Sequence, residues 1–518
     1  MKSVSSYGMQ AVLFALFLLQ SAASIQGVVL RAGTSTPIES ARVDLRPEGT
    51  SAFASATTDA SGRFVFQNLP PGRYRLSASR DGFVPGPYGA KSSGSTGAVV
   101  PLESQQELKN VFISLTPTSM VSGRVYDDRS RQPISKAKVQ ALRFVYQDGR
   151  RILIPIKTGA TDDAGEYKLP SLVPGQYIVS VDSSGAPLPF YYPGVSDASR
   201  AALIDVPPGI DYTGVDVTVA DTPAARLRGK VVFGANNAAA FGVSVLLVPR
   251  RGNVATGSSQ RTVTASEGTF EFNHVAPGAY DIVATANSFG RLAADMPLDA
   301  DSSEIENIVL TLQPQLSISG HLTVENFPGE LPIRAGAVRV ELRREPFTPD
   351  MLVTVPTIDA TGAFTFNGVT PGDYQLRIRV NGITAYVKSA RFGASDALNP
   401  PFHIDSSAPL DVMLSLAAGS LDGTIVNPDQ KLDADATVVL VPDVPRRQRL
   451  DLYYVTGTDM TGHFHVESIA PGDYHLFAWD DVPPDAWQDP DFIRQYESRS
   501  KPVRVSEGTH DTVELHVN

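Results

Sequence analysis

The sequence predicts an all-β protein, a tandem array of five domain-sized repeats. Three observations lead there. Short segments alternate apolar and polar residues, as in RFVFQNL from Arg63, TFEFNHV from Thr269 and HFHVESI from His463, which is the two-residue period of half-buried strands. Glycine (42) and proline (39) punctuate all 518 residues, and long helical patterns are missing. One frame, G-x-[FY], then an aliphatic, then P-G-x-Y, occurs five times.

The frame keeps its internal spacing in every copy. It starts at Gly62, Gly165, Gly268, Gly362 and Gly462. An aromatic follows two residues later (Phe64, Tyr167, Phe270, Phe364, Phe464) and an aliphatic seven residues later (Leu69, Leu172, Val275, Val369, Ile469). A Pro-Gly glycine stands ten residues on (Gly72, Gly175, Gly278, Gly372, Gly472) and a tyrosine twelve residues on (Tyr74, Tyr177, Tyr280, Tyr374, Tyr474). Consecutive Pro-Gly glycines are 103, 103, 94 and 100 residues apart, the size of a whole domain and too long for a solenoid turn.

Taken in chain order, the first residues, MKSVSSYGMQAVLFALFLLQSAAS, carry Lys2, an apolar run from Ala11 to Leu19 and small residues at Ser21-Ala22-Ala23. This is the pattern of a secretory signal over 1–23, cut after Ala23. The run is short for a bilayer span, and no later segment approaches spanning length, so the mature chain is expected to be secreted, periplasmic or extracellular, and surface-associated. With no cysteine, disulfides and thiol chemistry are excluded and each unit stands on packing alone.

Each unit opens on a glycine two residues before an aliphatic, or next to one: IQGVV, VSGRV, LRGKV, ISGHL, LDGTI. Next comes a turn, T-D-A-S-G in the first copy. The carboxylates of Asp59, Asp162, Asp359 and Asp459 are expected to accept from backbone two residues on, and Gly62, Gly165, Gly362 and Gly462 to supply the positive φ that closes the hairpin. The aromatic and the aliphatic then anchor a strand in the core. Pro-Gly makes the next turn, and the tyrosine points inward and seeks a partner for its hydroxyl. An alternating strand closes each unit, as in NVFISL and TVELHV. The resulting units are 24–117, 118–222, 223–314, 315–417 and 418–518, joined by short linkers into an elongated, monomeric rod.

The pattern G-x-V, T-D-x-x-G-x-F-x-F and L-x-P-G-x-Y resembles the carboxypeptidase regulatory-like domain, a transthyretin-like and carbohydrate-binding-like β-sandwich. The resemblance covers essentially the whole mature chain. It implies five tandem seven-stranded, Greek-key-type β-sandwich domains, each a non-catalytic module of a kind found beside metallocarboxypeptidase domains and in tandem on secreted or surface proteins. Two departures stand out. Ala265 replaces the turn aspartate in the third copy, which counts against a shared ligand there, and no histidine stands in an H-x-x-E arrangement, so a peptidase role is set aside. An internal isopeptide, as in related surface domains, needs a lysine on each first strand, and Lys230 alone qualifies.

Candidate sites fall on the long connections after the P-G-x-Y strand, where loops on a rigid scaffold tend to carry function. The second repeat offers Phe190, Tyr191 and Tyr192. The fifth offers Trp479 and Trp487, the protein's two tryptophans, with Asp480 and Asp481. Aromatics beside carboxylates suit stacking on sugars, and they equally suit plugging the end of a sandwich or an interface between units. His463, His465 and His475 suit an exposed metal-capable group and the fifth loop's aspartates a calcium site, but solvent-facing positions are the simpler reading of both, so no metal and no cofactor are assigned. The net charge of −11 and pI near 5.3 count against nucleic acid as a partner. Function is therefore expected to be non-enzymatic adhesion or recognition at the cell envelope. A polysaccharide is the favoured ligand, with a spacer or protein scaffold as the alternative and an envelope protein as its partner.

Overall fold

The structure is a computed structural model that describes residues 23–517 apart from 49–52, 91–96, 184–188, 221–223, 251–258, 287–290, 301–303, 328–335, 346–354, 400 and 428. Of the signal segment expected at 1–23, only Ala23 falls among the described residues, where it opens the first strand. The chain forms two compact units. One runs to Arg80 and includes 85–88 and 99–115; the other holds 81–84, 89–98 and everything from Thr116. Strand dominates both, as the alternation predicts.

In the first unit β1 (Ala23–Arg31), β2 (Arg42–Pro47), β3 (Ala54–Thr57), β4 (Arg63–Leu69) and β5 (Gly72–Ser79) build the two sheets. β1 lies between β4, antiparallel, and the strand Glu107–Pro117, parallel. β2 lies between β3 and β5, both antiparallel. Alternate residues are buried along β1, β2, β4 and β5, including Ile25, Val29, Phe64, Phe66, Val43, Leu45, Leu76 and Ala78, whereas β3 buries none of its four. Strand alternation sends these residues into the core and their neighbours to solvent.

The second unit repeats the β1 arrangement four times. The strands Ser119–Asp127, Ala225–Phe233, Leu316–Val324 and Gly419–Val426 each pair antiparallel with the strand after the turn and parallel with a strand near the end of the repeat. The register explains the opening glycine. Gly27, Gly123, Gly229, Gly320 and Gly423 lie directly opposite Phe64, Tyr167, Phe270, Phe364 and Phe464. A Cβ on Gly320 would sit 2.2 Å from the Phe364 ring, so the ring occupies the space a side chain would need.

The expected rod, with units touching only their neighbours in sequence, does not describe the contacts of the second unit. The hairpin of Lys138–Gln147 and Arg150–Ala160 has arms of 10 and 11 residues, against 6 and 4 for β2 and β3. Its tip, Asp148-Gly149, reaches residues of the fourth and fifth repeats: Asp148 pairs with Arg343 and Arg377, and Gly149 lies beside the Gln488 carbonyl. Hairpin length is the physical reason for the departure.

Candidate interaction sites

The turn aspartates serve their own backbone. Asp59 Oδ1 accepts from the Ser61 and Arg63 N–H groups at 2.8 and 2.9 Å. Asp162 accepts from Ala164 and Glu166, Asp359 from Thr361 and Ala363, and Asp459 from Thr461 and His463. Gly62, Gly165, Gly362 and Gly462 all have positive φ, between 70° and 92°. The third copy closes the same backbone turn, Gly268 N–H to Ala265 O at 2.8 Å, without a carboxylate. The Thr361 hydroxyl and nearby N–H groups hold the Asp359 carboxyl below its usual range.

The threonine that opens the turn, followed by aspartate in three repeats and by Ala265 in the third, was not singled out from sequence, yet it is a buried latch in four repeats. Thr58 Oγ1 accepts from Ala41 N–H at 2.8 Å and donates to Ile38 O at 2.7 Å. Thr161, Thr264 and Thr458 make the equivalent pairs of bonds. Both hydroxyl functions are used in each case.

In the second repeat Phe190 is 2% and Tyr191 0% exposed, while Tyr192 is half-buried against the same core. In the fifth repeat Trp479 is 2% and Trp487 6% exposed. Trp479 stacks on Phe477 with centroids 5.2 Å apart and meets Tyr496 edge-on at 5.5 Å. Together with Val439, Val441 and Ile493 they form an apolar cluster of their own. A ring that stacks on a sugar must open one face to water, and Phe190, Tyr191, Trp479 and Trp487 are all buried. Asp480 and Asp481 remain exposed at the rim of the tryptophan cluster.

The covering element is the short helix Pro490–Ile493, whose first turn is capped by the Asp489 carboxylate accepting from Asp491 and Phe492 N–H. Its Phe492 meets Tyr146 of the second repeat, centroids 5.8 Å apart. Of the loop aspartates, Asp489 caps this helix and Asp491 pairs with Arg494 at 3.2 Å, and among the described residues no group of three or more metal-ligating side chains is placed to hold an ion.

The histidine group differs in membership from the expected one. His475 bonds to the Ser500 hydroxyl at 2.8 Å. His465 Nδ1 and His510 Nε2 instead address the Asp422 carboxylate at 3.0 and 2.9 Å, with His463 Nε2 at 3.7 Å. The strand Gly419–Val426, lying between its two partners, brings these residues together. Lys230 is exposed on its strand.

A partly buried polar joint forms at Asp148. Asp148 and Gly149 take φ of 55° and 72°, as a two-residue Asp-Gly hairpin turn requires, a signal passed over in the sequence. The carboxylate is shared by Arg343 and Arg377, with Arg150 to Glu345 at 2.9 Å alongside. Burial pushes the Asp148 carboxyl up, but the two guanidiniums more than reverse this and hold it below the ordinary range. Burial, then the Asp148 charge, pushes Asp485 up. A cleft of about 340 Å³ runs beside the joint, lined by Arg150, Arg343, Arg377, Gln375, Gln448 and Gln488. Those three guanidiniums already face carboxylates, so the cleft is chemically a clasp.

The described residues contain no helix long and apolar enough to cross a membrane. Among known proteins, Colossin-A of Dictyostelium discoideum is 22% identical over 506 residues, covering 85% of this chain and 4% of that protein. The human BOS complex subunit NOMO3 is 22% identical over 475 residues, covering 88% of this chain and 35% of that one. The chain thus spans about a third of NOMO3 and a small fraction of Colossin-A. Among solved structures, a Streptococcal ancillary pilin covers 57% of this chain at 13% identity and a TM-score of 0.23. BcpA, the major pilin subunit of Bacillus cereus, covers 56% at 10% identity and 0.16. Scores of that size lie below those of a shared overall arrangement. The family model is more direct: residues 24–106 and 226–311 match it, and in these segments the chain carries carboxypeptidase regulatory-like domains.

Proposed function

We propose that this chain is a non-catalytic scaffold acting outside the cytoplasm, built from five sandwich units, whose aromatic loops hold units together. The observation that carries this reading is the placement of Trp479 and Trp487. Both are buried under a helix whose Phe492 touches the second repeat, as expected of an interface plug. The clasp at Asp148 joins the second repeat to the fourth, and its carboxylate and guanidiniums are spent on one another. Relatives named as subunits of a complex accord with an assembly role. Carbohydrate recognition, the more specific expectation, then needs a surface other than these loops.

The test is tryptophan emission of the mature protein, alone and with a panel of envelope and plant polysaccharides. Both tryptophans lie in the fifth repeat, so the signal is local. The scaffold reading expects blue-shifted, quencher-resistant emission that polysaccharides leave unchanged. A saturable shift abolished by Trp487→Ala would instead establish the fifth loop as a sugar site.

A further inference from the structure

The first repeat departs from the acidic balance of the chain. Residues 24–117 hold nine Lys and Arg against seven Asp and Glu, in a protein of net charge −11. The excess gathers on one surface, the outer face of β3, β2 and β5. Arg42 and Arg46 of β2 and Arg73 and Arg75 of β5 alternate with buried residues and so point to solvent, with Asp44 and Glu48 among them. Arg46 and Arg75 are direct cross-strand partners, a like-charge pairing that costs stability in an isolated sheet. Glu48 is shared between Arg73 at 2.7 Å and Arg75 at 3.3 Å, whereas Arg46 forms no ion pair among the described residues.

Beside this row stands Phe53, 56% exposed. The guanidiniums of Arg42 and Arg46 each lie 5.8 Å from its ring centroid. Arg42 is itself held in place, donating to Asp44 Oδ1 at 2.8 Å and to the Ser55 hydroxyl at 3.2 Å. The face therefore carries an open ring, a cation without a carboxylate, and a fixed group of hydroxyl and carboxylate acceptors.

We propose that this outer face of β2, β3 and β5 binds an anionic polysaccharide. The Phe53 ring receives the face of a sugar, Arg46 and Arg75 its carboxylate or sulfate, and Asp44 and Ser55 its hydroxyls. Charge complementarity selects the occupant: Arg42, Arg46, Arg73 and Arg75 outnumber Asp44 and Glu48 on this face, an excess that an anionic glycan matches and a neutral one does not, and a protein partner finds one ring where a hot-spot cluster is needed. A flat sheet face also gathers enough contact only from an extended polymer. The proposal goes beyond the scaffold reading, because it uses neither the tryptophans nor the clasp.

The test titrates the full mature chain with labelled polygalacturonate and with dextran sulfate, using neutral dextran and a single-stranded oligonucleotide for comparison. Saturable binding of at least one anionic polysaccharide is expected. Arg46→Ala with Arg75→Ala should weaken it by about tenfold or more, and Phe53→Ala by several-fold, with Arg63→Ala on the other sheet leaving it unchanged. Unchanged thermal midpoints establish that the variants are folded; if Phe53→Ala lowers the midpoint, Phe53→Leu removes the ring while keeping apolar bulk. Three results overturn the proposal: no binding to either anionic polymer, equal binding of neutral dextran, or equal loss in Arg63→Ala. Oligonucleotide binding as tight and as sensitive to the same variants also overturns it, by reducing it to generic attraction of polyanions.

Discussion

Tyr474 donates its hydroxyl to the carbonyl oxygen of Ala470, 2.7 Å away and four residues back along its own chain. The same bond recurs from Tyr74 to Pro70, Tyr177 to Val173, Tyr280 to Ala276 and Tyr374 to Thr370. It ties the Pro-Gly turn to the strand it feeds. Tyr474→Phe leaves the Ala470 carbonyl unpaired in a buried site and should cost about 1 kcal/mol, read from chemical denaturation.

Alkaline pH should act through Tyr474 and Tyr453, both in the fifth repeat. Burial pushes the Tyr474 hydroxyl up to about 12, and Tyr453 likewise to about 12. An unfolded tyrosine ionises near pH ~10. A raised folded value contributes stability that is whole below pH ~10 and is lost as pH rises toward about 12. Phenolate absorbance should therefore appear together with unfolding in that window. Ionisation of these tyrosines near pH 10 in the folded protein would contradict it.

The Gly320 and Phe364 pair predicts a specific clash and a specific rescue. Gly320→Ala places a methyl against the ring and 2.9 Å from the Leu410 carbonyl oxygen. Overpacking of this kind costs about 1–3 kcal/mol. Phe364→Leu in the same chain frees the space, so the double variant should be more stable than the sum of the single changes allows. A double-mutant cycle on thermal unfolding checks it.

The clasp predicts acid and mutational sensitivity between repeats. Asp148→Ala leaves Arg343 and Arg377 without their shared carboxylate, at a cost of about 2 kcal/mol, less than a fully dry pair because the site still reaches water. Calorimetry should then separate the second repeat's transition from that of the fourth and fifth. Because the Asp148 carboxyl is depressed, its contribution holds above pH ~4 and fades as pH falls through the folded value. Unaltered cooperativity in the variant would mean that other contacts carry the coupling.

Thr458 bonds to both Ala436 N–H and Asp433 O, whereas Ile358 takes the equivalent position in the fourth repeat. Thr458→Val should lose about 1–2 kcal/mol through the two unpaired backbone groups. Hydrogen exchange at the Ala436 amide should rise.

By itself the sequence determined the all-β class, the five-fold recurrence of one strand–turn–strand frame and the chemistry of its turns. Those are local properties: alternation follows from strand geometry, and an Asp two residues before its donor, or a glycine at positive φ, needs only its neighbours. Even the opening glycine was visible, although its cause, the ring opposite in Phe364 and its counterparts, depends on register between strands far apart in sequence. Only the tertiary structure decided which aromatics are open. Trp479 and Phe53 look alike as letters beside charged residues; one is covered by a helix some ten residues further on and the other by nothing described. The Asp148 contact likewise joins residues about two hundred positions apart, through the length of a hairpin whose reach no local pattern encodes. Net charge has the same limit: a chain-wide sum does not show that strand alternation and cross-strand register gather arginines onto one face of an acidic protein.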